Sequence, residues 1–207
     1  MRDKSSGPSA LFKQYRPRAA ASMAGGIMMV VARNNNAAGV QCDRLRVPVN
    51  GEIVLKKSDL WSVSYVCPGL ALCGALSLYT DKETVSLLQP TCLINCAQEL
   101  PDTPLPETVT KYHKVTVTDS PDTDLRPHMD RIADLIHQEY LNGGLTIVHC
   151  AAGVSRSAAF CIAYLIKYRA MDMTNAYRHL AMCRPCINPN QGFVGQLIEF
   201  EGKFADD

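Results

Sequence analysis

Between Val148 and Ser157 the chain reads Val-His-Cys-Ala-Ala-Gly-Val-Ser-Arg-Ser, placing a thiol, a guanidinium and several small residues side by side. An apolar strand is expected to end at His149 and a helix to start near Ser155. The small residues then form the loop between them. In such a loop the backbone N–H groups converge on one point, and the helix N-terminus adds positive potential. The result is an anion-binding nest over Ala151, Ala152, Gly153, Val154, Ser155 and Arg156. Gly153 permits a backbone conformation that a side chain would hinder. Arg156 can close the cradle with a planar, two-pronged contact to phosphate oxygens. Cys150 stands at its mouth. Donors that bind phosphate also stabilise a thiolate, and a thiolate at the base of a phosphate cradle is a nucleophile aimed at phosphorus. A merely structural strand-end Cys would leave Gly153 and Arg156 unexplained at those offsets.

The elements needed to hold this segment are legible around it. Residues 45–55 look like a hairpin turning at Asn50-Gly51, with Pro48 restricting it to an edge. Val63 to Val66 and Leu70 to Cys73 read as short strands around Pro68-Gly69. Ser77 to Leu88 reads as a helix ended by Pro90, Thr91 to Asn95 as a buried strand, and Tyr112 to Val117 as an alternating strand. A polar loop, Asp119 to Asp124, follows. Pro127 opens a helix as a first-turn proline, and Gly143-Gly144 closes it. After the strand Leu145 to His149 come helices over Ser155–Tyr168 and Thr174–Cys183, then one capped by Asn190 and running to about Phe204. Strands alternating with helices predict an α/β domain: a central mixed, partly parallel sheet flanked by helices.

The motif His-Cys-x-x-Gly-x-x-Arg-Ser resembles the signature of cysteine-dependent protein phosphatases. The stretch Ala151 to Ala158 is similar to its dual-specificity branch. The resemblance extends to Tyr65–Leu70, Val117–Pro121 and Arg184–Phe193, and so spans about residues 62–204. It is similar to the small atypical members that lack a kinase-docking domain. Two positions depart from the usual pattern: Gly195, where a larger residue is frequent, and Ala71, where an aromatic residue is common.

The resemblance implies a cysteine-phosphatase fold and a role for each matching residue. Cys150 attacks phosphorus and forms a phosphocysteine. Arg156 and the amides of residues 151–156 bind the phosphoryl group. Ser157 hydrogen-bonds the departing sulfur. His149 holds the loop and tunes the thiolate. Asp119 protonates the leaving oxygen and then helps activate water. Neither a metal nor another cofactor is required. Asp119 is preferred over Asp122 and Asp124 because it follows the strand by one residue. Its spacing of 31 residues before Cys150 also resembles the family's. His113, His128, His137 and His179 have no partner at ligand spacing, and His137 is expected at the surface.

Composition bounds the rest. The chain has 207 residues, 47% hydrophobic and 20% charged, with a formal net charge of +1. That suits one soluble domain with an extension and offers no support for an obligate nucleic-acid binder. Nine cysteines, mostly inside apolar runs, read as buried thiols of a reducing compartment rather than a disulfide framework. Cys183 and Cys186 have CxxC spacing without a second ligand pair, so they do not point to a metal.

Residues 1–33 carry six basic side chains against one acid. The apolar stretch Ala19 to Ala32 is too short to cross a bilayer. The leader is read as disordered, with a mitochondrial presequence and a secretory signal as the other readings. The expected division is 1–58 as a mostly disordered extension and 59–207 as the catalytic domain, in a cytoplasmic or nuclear protein.

Three functions were weighed. The favoured one is a protein phosphatase acting on phosphotyrosine and phosphoserine/phosphothreonine. The second has a phosphoinositide or RNA 5′ end as substrate, which the absence of lysine between Ala151 and Ser155 disfavours. The third, a silent scaffold, is opposed by the presence of Cys150, Arg156 and Asp119 together. The expected partners are phosphorylated proteins. Arg44 to Val49 faintly resembles a docking peptide for mitogen-activated protein kinases, against an ordinary edge segment as the plainer reading.

Overall fold

The computed structural model describes residues 60–102 and 105–204, together with two strands ahead of them. Those strands, β1 (Arg46–Val49) and β2 (Glu52–Leu55), pair antiparallel with Val49 opposite Glu52. The expected pairing is found, while its turn at Asn50-Gly51 lies outside the described residues. Pro48 lies opposite Ile53 in a two-stranded ribbon, where both strands are edges. The expectations for residues 1–45 lie outside the described residues.

The catalytic body follows in chain order. β3 (Ser64–Cys67) and β4 (Leu70–Gly74) lead to two short helices, α1 (Ser77–Thr80) and α2 (Lys82–Leu88). β5 (Cys92–Asn95) and β6 (Lys111–Lys114) precede α3 (Arg126–Leu141), and β7 (Thr146–Cys150) precedes α4 (Arg156–Arg169). α5 (Met173–Cys183) and α6 (Gln191–Glu201) finish the fold, with a 3₁₀ turn at Gly202–Phe204. The second sheet has the order β3-β4-β7-β5-β6. Only the β3–β4 pair is antiparallel; β4, β7, β5 and β6 run parallel. The expected mixed, partly parallel sheet between helices is therefore found.

The pleat divides the core into two halves, because successive strand residues face opposite sides. Leu70, Leu72, Cys92, Ile94, Val148 and Cys150 pack with α3, α4, α5 and α6. Ala71, Cys73, Leu93 and Ile147 pack with Leu78 and Val85 of the short helices. β7 lies in the middle with all five residues buried. A central parallel strand is covered on both faces, and here the cover extends even over the polar Thr146 and His149. Its C-terminal end is where the loop after Cys150 opens.

Three expectations need correction. The single helix over Ser77–Leu88 is two, broken at Asp81. That carboxylate turns inward to accept the Val63 N–H at 2.9 Å and the Thr84 hydroxyl at 2.8 Å. Periodicity cannot report such a long-range bond. The strand over Tyr112–Val117 is regular only to Lys114. Val115 N–H still bonds the Asn95 carbonyl at 2.8 Å, after which Val117 N–H folds back onto the Val115 carbonyl at 3.0 Å. His137 is half-buried and stacks on Tyr168, with ring centroids 3.9 Å apart.

The expected terminators hold. Pro127 sits in the first turn of α3, and Gly143 takes φ +76° after its end. Asn190 caps α6 by accepting the Phe193 N–H at 3.1 Å.

Candidate active site

The loop after β7 is shaped from behind. A carbonyl and the next residue's N–H share one peptide plane and point in opposite directions. Tying carbonyls at the back therefore turns amides to the front. Ala75 N–H donates to the carbonyls of Cys150 at 2.9 Å and Ala151 at 3.1 Å. Asn188 N–H donates to the Val154 carbonyl at 2.8 Å, and Ala159 N–H to that of Ser155 at 2.9 Å. The two carbonyls between, of Ala152 and Gly153, are held by Arg184. Gly153 has φ +68°, and a Cβ there would lie 2.4–2.5 Å from the backbone of Cys73 and Gly74. The glycine is thus required by both conformation and space.

Cys150 is 2% exposed at the end of β7. Its Sγ accepts the Gly153 N–H at 3.3 Å and lies 3.2 Å from Ser157 Oγ. His149 is fully buried, and its carbonyl accepts the Cys96 N–H at 2.7 Å. Burial pushes its ring down to about 4, against a smaller opposing effect of a hydrogen bond to the Cys150 backbone. The imidazole is therefore neutral at pH 7 and unsuited to act as a cation.

Other thiols surround the nucleophile. Cys67, Cys73, Cys92, Cys96 and Cys161 are buried free thiols. Burial raises Cys92 to about 11 and lifts Cys73, Cys96 and Cys161 further. They are protonated, and bring no competing negative charge to the loop.

Ser155 stands at the N-cap of α4 but makes no capping bond with its side chain. Such a serine ordinarily accepts one of the first-turn N–H groups. Here its hydroxyl donates to Asp119 Oδ1 at 2.7 Å instead. The first-turn amides are left for an anion.

Arg156 has five N–H donors. One edge of its guanidinium meets Glu99, with Nη1 and Nη2 each 2.6 Å from a carboxylate oxygen. Nη1 also donates to the Val117 carbonyl at 3.1 Å. Nε is buried and makes no hydrogen bond. Nε–H and the second Nη2 hydrogen share one edge, which is the fork that accepts two phosphate oxygens. The guanidinium holds the Glu99 carboxyl below its usual range.

Asp119 is brought to the same place. Its Oδ1 accepts both Ser155 Oγ and, at 3.0 Å, Asn190 Nδ2, while Oδ2 lies 3.6 Å from Arg156 Nε. The loop carrying it docks on the N-terminus of α6. A Cβ on Gly192 would fall 1.9 Å from the Pro121 carbonyl oxygen, so only glycine permits this approach. Gln196 holds the loop's far end through the Thr123 carbonyl at 2.8 Å and the Leu125 N–H at 2.6 Å. Asp124 pairs with Arg126 instead, at 2.8 Å, and Asp122 is exposed.

The sequence-predicted residues His149, Cys150, Ala151–Ser155, Arg156, Ser157 and Asp119 thus converge. Glu99, Arg184 and Asn190 join them; sequence reasoning read Asn190 only as a helix cap and assigned no role to the other two. Arg184 and Asn190 lay within the motif Arg184–Phe193, a signal that marked them without explaining them.

The family model "Dual specificity phosphatase, catalytic domain" matches residues 75–203. Over 144 residues the chain is 44% identical to dual specificity protein phosphatase 18 of Homo sapiens, covering 70% of this chain and 72% of that one. Over 150 residues it is 37% identical to dual specificity protein phosphatase 14 of Mus musculus, covering 72% and 74%. Its fold is similar to that of a mouse putative dual specificity phosphatase complexed with zinc tungstate. That match has a TM-score of 0.65 and 28% identity, and covers 73% of this chain and 93% of the other.

Proposed function

The chain belongs to the dual specificity phosphatase family, and from that premise we propose how its residues divide the reaction. It hydrolyses phosphotyrosine and phosphoserine or phosphothreonine in proteins through a phosphocysteine. The observation that carries the assignment of roles is the Nε–Nη2 edge of Arg156, which Glu99 leaves free and whose Nε makes no hydrogen bond, beside the Cys150 thiol in a loop whose carbonyls are all tied behind it.

In the first step Cys150 Sγ, as thiolate, attacks phosphorus. The S–P bond forms, the ester P–O bond breaks, and Asp119 gives its proton to the departing oxygen. Because Oδ1 accepts two hydrogen bonds, that proton rides on Oδ2, the oxygen facing Arg156. The loop amides and the Arg156 fork stabilise the charge on the three equatorial oxygens. In the second step the Asp119 carboxylate takes a proton from water, which attacks phosphorus and breaks the S–P bond. Ser157 then donates to the leaving thiolate across the 3.2 Å contact.

Cys150→Ser keeps the cradle and removes the nucleophile. It should abolish turnover of p-nitrophenyl phosphate while tungstate still binds. Turnover within tenfold of wild type would refute the role.

Among phosphorylated proteins, mitogen-activated protein kinases are the proposed partners, on the basic-hydrophobic segment Arg44–Val49. A peptide of that sequence should compete for kinase binding. The proposed location is the cytoplasm, and full-chain imaging against a mitochondrial marker tests it against the alternative drawn from the basic leader.

A further inference from the structure

Arg184 is 0% exposed, and its guanidinium donates hydrogen bonds in two directions. Toward the phosphate loop, Nε donates to the Gly153 carbonyl at 2.7 Å and Nη2 to the Ala152 carbonyl at 3.1 Å. Toward the start of the catalytic body, Nη1 donates to the Ser62 carbonyl at 2.9 Å and to Ser64 Oγ at 3.1 Å. One planar group thus bridges segments about 90 positions apart in the chain, a separation estimated from the numbering of Ser62 and Gly153. Its own backbone is fixed at the end of α5, where Arg184 N–H bonds the Leu180 carbonyl at 2.8 Å.

We propose that Arg184 is a positioning residue for the phosphate loop, and that through Ala152 and Gly153 it aims the amides that receive phosphate. Pinning the Ala152 carbonyl outward turns the Gly153 N–H inward, and pinning the Gly153 carbonyl does the same for Val154 N–H. The first of these is visible, since Gly153 N–H points at Cys150 Sγ. The bend falls at the positive-φ glycine, where the chain is least held by its own preferences and most needs an external tie. Lysine could not replace it: an ammonium lacks the rigid fork that meets two carbonyls on one side and two oxygens on the other. The buried charge also places positive potential directly behind the thiolate and the phosphoryl group. Ser62 and Ser64 anchor the far side, so β3 and the residues just before it contribute to the loop through Arg184.

This inference rests on the phosphatase reading, and its test separates the two. Arg184→Lys and Ser64→Ala are made in the full chain. For each, inorganic phosphate affinity is measured by calorimetry, kcat/KM on p-nitrophenyl phosphate is determined, and the pH midpoint of Cys150 alkylation is recorded. Arg184→Lys should weaken phosphate about 10–100-fold, lower kcat/KM by a similar factor and raise the alkylation midpoint. Ser64→Ala should weaken phosphate about two- to fivefold with little change in melting temperature. A folded Arg184→Lys with phosphate affinity and alkylation midpoint equal to wild type overturns the proposal. If Arg184→Lys does not fold, Ser64→Ala decides: unchanged phosphate affinity overturns the proposal and weakened affinity supports it. A wild-type chain inactive on the aryl phosphate would overturn the phosphatase reading instead, while calorimetry, which needs no turnover, still judges Arg184.

Discussion

Behind the phosphate loop, donors from Ala75, Arg184 and Asn188 end on backbone carbonyls in the interior. In front of it, Glu99 and Asp119 meet the loop through carboxylates whose side chains are 51% and 38% exposed. The back is preorganised: its groups do not titrate near neutral pH, and moving one leaves a carbonyl without its bond. The mouth is adjustable. In the proposed reaction Asp119 loses and regains a proton in each cycle, while Glu99 holds the edge of Arg156 opposite its free one. Rigidity where charge is bound and freedom where protons move are the two requirements of this chemistry, and the loop meets them on opposite faces.

Removing the acid at the mouth should have the largest effect and leave the back intact. Asp119→Ala should slow hydrolysis of a phosphotyrosine peptide about 10²–10⁴-fold. It should slow p-nitrophenyl phosphate less, because that leaving group departs without a proton. The melting temperature should stay close to wild type, since of the two lost bonds one is exposed and the other only partly buried. Equal losses on both substrates, or a larger defect in Asp122→Ala, would move the acid elsewhere.

Gly153→Ala strikes the back and should couple function to folding. Its Cβ meets backbone rather than a yielding side chain. Activity should fall about 10²-fold, as expected for a displacement of about 1 Å. Stability should drop by about 1–3 kcal/mol, the cost of a disfavoured backbone conformation. A variant that is slow but fully stable would show that the loop relaxes more freely than the carbonyl ties imply.

The smallest effect concerns His149 and leaves activity at neutral pH untouched. The unfolded chain takes up this proton below about pH 6.5, whereas the folded chain does so only near 4. Between those values the unfolded state binds more protons, so stability is lost as pH falls through that window. The loss should reach about 2–3 kcal/mol by pH 4 and be missing from a His149→Gln variant, as followed by denaturant unfolding. Parallel pH curves for the two proteins would remove the buried ring from the account of the back.

The legibility of this molecule follows the same division. Cys150, Gly153 and Arg156 were readable because strand, loop and helix are consecutive, and local geometry dictates where they point; the role of Ser157 came only from the family resemblance. Asp119 was readable from its place after a strand. Glu99, Asn190 and Arg184 were not, because each acts across a fold: Glu99 reaches Arg156 over 57 positions, and Asn190 reaches Asp119 over 71. Asp81 repeats the lesson in the scaffold, where a bond to Val63 18 positions back interrupts a helix that periodicity would continue. The short, mainly apolar segments of β4, β5 and β7 gave the sheet, because burial on both faces leaves a simple apolar signal. The end of β6 was missed, because departure from a sheet depends on what the next strand offers.

The protonated thiols of the core have a practical consequence. Cys73, Cys92, Cys96 and Cys161 are enclosed and held above the range in which alkylating reagents find a thiolate. In the folded state they are therefore silent toward such reagents, and they become visible once the sheet opens. The protein thus carries its own opening clock: the slow appearance of label at Cys96 or Cys161, read by mass, counts the molecules that have come apart.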